Sequence, residues 1–166
     1  MINKINKLTK SKFIEVFANI FENSSWIASK LYKEKPFDSF ENLSSKILGI
    51  FDNAAKEKQL NVLNAHPDLA DKIKIGSLTP DSKKEQIKAG LDRCSEKELC
   101  EFKNLNYKYK KKFGFPFIYA VKGKSKIDII SNFRQRLSYD INVEFNEAKK
   151  QVKKIASLRL NEINKK

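Results

Sequence analysis

An all-α fold, a single compact domain of about eight helices over residues 1–166, follows from three features of this sequence. Apolar residues recur with the helical period of about 3.6 nearly everywhere, no convincing alternating strand occurs, and helix start and stop residues punctuate the chain in order. Phe13, Val16, Phe17, Ile20 and Phe21 form a first apolar face behind Thr9 or Ser11 as cap. A turn at Asn23-Ser24-Ser25 leads into Trp26, Ile27 and Leu31, and Pro36 ends that segment. Asp38 with Glu41 makes an Asp variant of the capping box ahead of Phe40, Leu43, Ile47, Ile50, Phe51 and Ala54. A short helix around Leu60 and Leu63 stops at His66-Pro67, because the residue before proline avoids the α region.

Asp68 to Leu78 reads as irregular, and Thr79-Pro80 then supplies an N-cap and first helical residue for a helix to about Leu91. Ser95 and Glu98 make a second capping box, followed by Leu99, Phe102, Asn106, Tyr109 and Phe113 on one stripe. Gly114-Phe115-Pro116 breaks that helix. The short apolar run Phe117-Ile118-Tyr119-Ala120-Val121 fits a strand or a helix equally well by length. Two further helices are predicted, one through Ile127, Ile130, Phe133 and Leu137 and one from about Asn142 to Ile163.

Composition narrows the class of function. The 166 residues are 40% hydrophobic and 33% charged, which suits a globular chain with a real core. No apolar run approaches the roughly 18 residues of a membrane span, and the start carries no signal-peptide core, so no membrane partner and a cytoplasmic location are expected. Cys94 and Cys100 fit neither a disulfide framework nor a zinc pair, and with one histidine in the chain a typical His/Cys metal site is not expected. The net charge of +14 raises the alternative of a basic helical nucleic-acid-binding domain. Against it, 30 of the 34 basic residues are lysine, whereas base and phosphate readout favours the bidentate guanidinium. A solvated lysine surface is the simpler reading, with Lys108-Tyr109-Lys110-Lys111-Lys112 as the best place for an anion-steering patch.

Five residues stand out against the helical pattern. Phe145, Ala148, Val152, Ile155 and Arg159 share one face, so Arg159 either lies on the core and snorkels to water or binds an anion. Asn106 interrupts its own stripe, as a buried amide bonded to backbone or as a ligand group. His66 is the sole histidine, sits at a helix-ending turn and is of the residue type whose unperturbed pKa lies near neutrality; it is a capping or surface residue or the natural proton-transfer group. Glu85 and Gln86 are followed one turn later by Ala89 and Gly90, so they either line a groove or are ordinary first-turn residues.

Taken together, these segments resemble one family, the OHCU decarboxylases, which convert 2-oxo-4-hydroxy-4-carboxy-5-ureidoimidazoline (OHCU) to (S)-allantoin in urate breakdown. The matching text is Asn64-Ala65-His66-Pro67-Asp68-Leu69-Ala70, Leu78-Thr79, Ser82-x-x-Glu85-Gln86 and Ala89-Gly90-Leu91. It continues through Leu105-Asn106-x-x-Tyr109, residues 112–118, residues 120–123, Phe133-x-x-Arg136-Leu137 and Lys154-Ile155-Ala156-x-Leu158-Arg159-Leu160. Weaker matches stand at Phe21-Glu22-x-Ser24-x-Trp26-Ile27 and Pro36-Phe37. Ser25 replaces a frequent proline, and Ile73-Lys74-Ile75 replaces a more variable polar stretch.

The resemblance implies an all-α homodimer that needs no cofactor. It implies that His66 is the catalytic acid, Glu85 a further catalytic carboxylate and Arg159 the active-site arginine. Pro67, Ser82, Lys83, Lys84, Glu85, Gln86, Phe117, Ile118, Tyr119, Ala120 and Val121 match its substrate-contacting segments. An inactive member acting as an interaction module is the remaining alternative, and retention of all three catalytic matches argues against it. The terminal Asn164-Lys165-Lys166 differs from the peroxisomal tripeptide of some eukaryotic members, so a bacterial cytoplasm is expected.

Overall fold

The computed structural model describes residues 1–70 and 78–165. Among the described residues it contains nine α-helices and no strand: α1 Ile2–Asn6, α2 Lys10–Phe17, α3 Ser25–Tyr32, α4 Phe40–Asp52, α5 Lys56–Asn64, α6 Pro80–Lys88, α7 Glu96–Phe113, α8 Lys126–Leu137 and α9 Ile141–Asn164, with a 3-10 turn at Leu91–Arg93. The all-α expectation holds. Two compact units are resolved by their internal contacts, one formed by Met1–Ala65 with Lys153–Lys166 and the other by His66–Val152.

In the first unit α2 packs on α3 and α3 on α4. Thr9 caps α2 through the Lys12 N–H, as its sequence position predicts. Phe13, Phe17, Ile20 and Phe21 are buried, with Phe13 and Phe17 centroids 4.6 Å apart and Phe21 5.0 Å from Phe51. Val16, counted on that face from spacing, is 41% exposed instead. A helical stripe has edges, and a residue at the edge stays in water without cost to the core. The cap of α4 is Ser39, which accepts the Asn42 N–H at 3.0 Å, one residue later than the Asp38 box expected. Asn6 joins α1 to the chain before α4 by a reciprocal pair, donating to Phe37 O at 2.8 Å and accepting the Phe37 N–H at 2.9 Å. Buried Gln59 on α5 donates to the Phe51 and Asp52 carbonyls, satisfying acceptors at the end of α4 that have no helical partner.

In the second unit α7 packs on α8. The predicted Thr79-Pro80 start and the Ser95/Glu98 box are both present, although α6 ends at Lys88 and the chain continues through Gly90 at φ +73° into the 3-10 turn. A second capping box, Ser125 with Asp128, opens α8. Phe102, Asn106, Tyr109 and Phe113 are buried along α7, and Gly114 ends the helix at φ +77°, where a side chain would be strained. Of the stripe predicted for α8, Phe133 is buried, Ile130 and Leu137 are half-buried and Ile127 is 80% exposed; Ile129 and Arg136 complete the buried face. Arg136 is drawn in by a buried carboxylate. Residues 117–121 are neither strand nor helix. The Ile73-Lys74-Ile75 departure, and most of the stretch read as irregular, lie outside the described residues.

Both capping boxes of the second unit are charged. Glu98 accepts from the Lys126 ammonium at 2.8 Å and the Ser95 N–H at 2.8 Å; Asp128 accepts from the Ser125 hydroxyl at 2.7 Å and its N–H at 3.0 Å. These bonds, first of all those from Lys126 and from the Ser125 hydroxyl, hold the carboxyls below their ordinary values of 4.5 and 3.8. A lowered folded value means a contribution that is full above the unfolded pKa and lost as pH falls through the folded one. The expected result is that Glu98→Gln melts below wild type at pH 7 and that the gap closes as pH is lowered past 4.5. A melting-temperature gap unchanged in acid contradicts this account.

Candidate active site

After α5 the chain turns at Ala65 and delivers His66 into a buried position, 9% exposed. The loop that follows is bonded from behind by side chains of two helices. Gln86 of α6 accepts the Ala70 N–H at 3.0 Å and donates to the Asp68 carbonyl at 3.2 Å. Asn106 of α7 donates to the Leu69 carbonyl at 3.0 Å, and Lys110 one turn further on reaches the Asp68 carboxylate at 2.7 Å. Ala70 is held in the left-handed region at φ +56°, an uncommon conformation for a residue with a Cβ, and is 1% exposed. Strain of this kind persists only where the surroundings over-determine it, and here the Gln86 bond does so.

This geometry decides two open readings. Asn106 is a buried amide bonded to backbone. Gln86 is a loop anchor, 3% exposed, and not an ordinary first-turn residue. On the same helix Ser82 is buried, Glu85 is half-buried, and Lys83 and Lys84 are exposed. Pro67 is half-buried beside His66. Within the lysine run, Lys110 is taken by Asp68, and Lys112 donates to the Leu137 and Tyr139 carbonyls at 2.7 Å each. Two lysines of the expected anion-steering patch are therefore occupied in holding the fold.

Residues 117–121 are positioned by a buried charged network. Phe117, Ile118, Ala120 and Val121 are buried and Tyr119 is half-buried. Arg136, 1% exposed, donates from Nη1 to the Ile118 carbonyl at 2.7 Å and from Nε to both oxygens of Glu144 at 3.0 and 3.1 Å. Its Nη2 donates to Glu144 as well, and the Tyr109 hydroxyl donates to the same carboxylate. The guanidinium lies 4.5 Å from the Phe117 ring centre, and Phe117 stacks on Phe133 at 3.8 Å and 11°. Burial pushes the Tyr109 hydroxyl well above its ordinary pKa, so it stays a neutral donor. Gln151 of α9 accepts the Ala120 N–H at 3.1 Å, and is itself oriented by donating to Glu147 at 2.8 Å.

Arg159 belongs to the first unit and is 6% exposed, so its head does not snorkel. Its Nη1 donates to the Asn19 carbonyl at 2.8 Å and to the Glu22 carboxylate at 2.9 Å. The anion that the sequence pattern required is thus at least in part internal. Sequence reasoning missed Glu22, Glu144, Gln151 and the inward turn of Arg136. The available signal was the position of Glu144 one turn before Ala148 on the apolar stripe, where a lone carboxylate demands a cation. Among the described residues no group of three His, Cys, Asp or Glu side chains is placed to hold a metal ion, and no helix is long and apolar enough to cross a membrane. Cys94 is buried and Cys100 exposed, and neither forms a disulfide.

Known proteins share this sequence pattern and this helical fold. The OHCU decarboxylase family model matches residues 6–161. A Bacillus uric acid degradation bifunctional protein is 39% identical over 98% of this chain, which spans 32% of that protein's length. The 2-oxo-4-hydroxy-4-carboxy-5-ureidoimidazoline decarboxylase of Halalkalicoccus jeotgali is 36% identical over 98% of this chain and 90% of its own. Among solved structures, an (S)-allantoin synthase superposes with TM-score 0.78 at 25% identity, covering 98% of this chain and 53% of that one. An OHCU decarboxylase crystallised in the presence of (S)-allantoin gives 0.73 at 25% identity, covering 89% and 96%. This chain belongs to the OHCU decarboxylase family.

Removing one partner of a buried ion pair leaves the other charge unmatched, at a cost of about 3–5 kcal/mol. Arg136→Met is expected to lose stability on that scale in urea unfolding, and to raise hydrogen exchange at residues 117–121. Loss of less than about 1 kcal/mol would show that the network is not what holds this segment.

Proposed function

We propose that this protein is a carboxy-lyase that decarboxylates OHCU to (S)-allantoin, as a cytoplasmic homodimer with neither a nucleic-acid nor a membrane partner. The observation that supports the reading most directly is the buried His66 on a loop fixed by Gln86 and Asn106, at the position to which the family resemblance assigns the catalytic acid. Cleavage of the bond from the ring carbon to the carboxylate releases CO₂ and leaves an electron pair. The adjacent C=N bond accepts that pair at nitrogen, which takes up a proton, so the substrate is its own electron sink and no cofactor is required. The enol left behind becomes a carbonyl by losing its hydroxyl proton, while the ureido-bearing carbon gains one. Delivery of that last proton from one face fixes the product's handedness.

The protein's task is then orientation, charge placement and proton delivery. His66 is the group of this chain whose ordinary pKa lies near neutrality, and it serves the proton transfers. Glu85, half-buried on α6, accepts from the N–H and O–H donors of the ring and ureido group. Arg159 faces an anionic or carbonyl oxygen with its planar fork. Pro67, Ser82 to Gln86 and residues 117–121 form the substrate-contacting surface in this reading. The helix-borne bonds that pin the Asp68–Ala70 backbone give His66 a fixed starting position.

Freshly prepared OHCU mixed with the protein is expected to yield the circular dichroism of (S)-allantoin, with turnover surviving dialysis against EDTA. Racemic product at the uncatalysed rate rejects the reading. His66→Asn is expected to remain folded and to lose about 10²–10⁴-fold in kcat, the usual span of general acid–base catalysis. A folded His66→Asn protein with near wild-type turnover removes His66 from the chemistry.

A further inference from the structure

We propose that Glu22 is a positioning residue for Arg159 in the decarboxylation, an assignment that rests on the functional reading above. Glu22 lies in the link between α2 and α3, three residues after Asn19. Both residues present an oxygen to the same nitrogen: Arg159 Nη1 has two protons, and its partners are the Asn19 carbonyl at 2.8 Å and the Glu22 carboxylate at 2.9 Å. A guanidinium is planar, so two in-plane bonds to one of its nitrogens fix the rotation of the whole head. The orientation in which Arg159 meets a substrate oxygen is therefore set with the help of this link.

The link is itself held. Phe21 is 1% exposed against Phe51, and the Ser24 N–H donates to the Phe21 carbonyl at 3.1 Å. The Ser24 hydroxyl donates to the Glu22 carbonyl at 2.9 Å, and Asn23 takes φ +46°. These contacts fix the backbone from which the Glu22 side chain, 2% exposed, meets the arginine.

A second consequence is electrostatic. With Glu22 in place the substrate faces a guanidinium already bonded to a carboxylate, not a bare cation. Decarboxylation disperses the carboxylate charge, so an uncompensated cation stabilises the ground state more than the transition state. Removing the Glu22 charge therefore acts on kcat and leaves ground-state affinity intact or improved. A carboxylate that only stabilised the fold would move neither parameter of the folded enzyme.

The test is steady-state kinetics on OHCU with wild type, Glu22→Gln, Arg159→Lys and the double variant, each checked for fold by circular dichroism. Glu22→Gln is expected to lose about tenfold or more in kcat, as misorientation of a contacting group does, without a rise in KM. In the Arg159→Lys background, which has no planar fork to orient, the same change is expected to cost no more than about threefold. Multiplicative losses in the double variant, or a raised KM with unchanged kcat, overturn the role of Glu22. Nitrogen-15 arginine spectra of the wild type supply a readout that needs no folded variant: a slowly rotating Arg159 head is expected, and a freely averaging one overturns the proposal. A wild type that leaves OHCU untouched rejects the functional reading and Glu22's part in it; an active wild type with the contrary kinetics rejects Glu22 alone.

Discussion

The ion pair between Arg136 and Glu144 is the constraint on which the second unit depends. Two fully buried charges lose their hydration, and only close geometry with every polar atom satisfied makes that tolerable. Arg136 meets both Glu144 oxygens and the Ile118 carbonyl, and Tyr109 adds a neutral donor. Because Tyr109 is also the hub of a ring cluster with Phe113, Phe115, Phe117 and Phe133, the polar network and the aromatic core fix each other. An irregular stretch can be buried at 117–121 only because side chains supply partners that a helix or sheet would otherwise give its backbone.

The same device recurs around three candidate site segments. Gln86 and Asn106 bond the backbone after His66, Gln151 bonds that of Ala120, and the α2–α3 link bonds the head of Arg159. Helices anchor the irregular segments after His66 and at 117–121, while an irregular link anchors Arg159 on α9. The irregular segments thereby take on the rigidity of their supports.

The helices were legible because capping chemistry is local: Thr9, Thr79 and Ser95 act within three residues of themselves. The stripe on α9 was legible for the same reason, since Ala148, Val152, Ile155 and Arg159 share a face by period alone and are all buried. What stayed hidden were interactions between distant elements. Nothing near Arg159 in sequence points to Glu22, 137 positions away, and the face of α8 was misjudged because Arg136 is inward only through a partner on the next helix. The motif residues Glu22 and Arg136 were visible as matches to the family, but their tasks were not, because a match records a position and not the atom it meets.

Among the described residues both buried cations are arginines, in a chain whose basic residues are almost entirely lysine, and this separates two responses to alkali. Lysine ammonium groups discharge around pH 10, whereas guanidinium groups keep their protons beyond pH 12. Moderately alkaline solution therefore strips the self-repelling surface charge while leaving Arg136 on Glu144 and Arg159 on Glu22 undisturbed. The molecule reaches its lowest colloidal stability under conditions in which these two buried ion pairs remain intact, so precipitation in that range reports on the surface and not on unfolding.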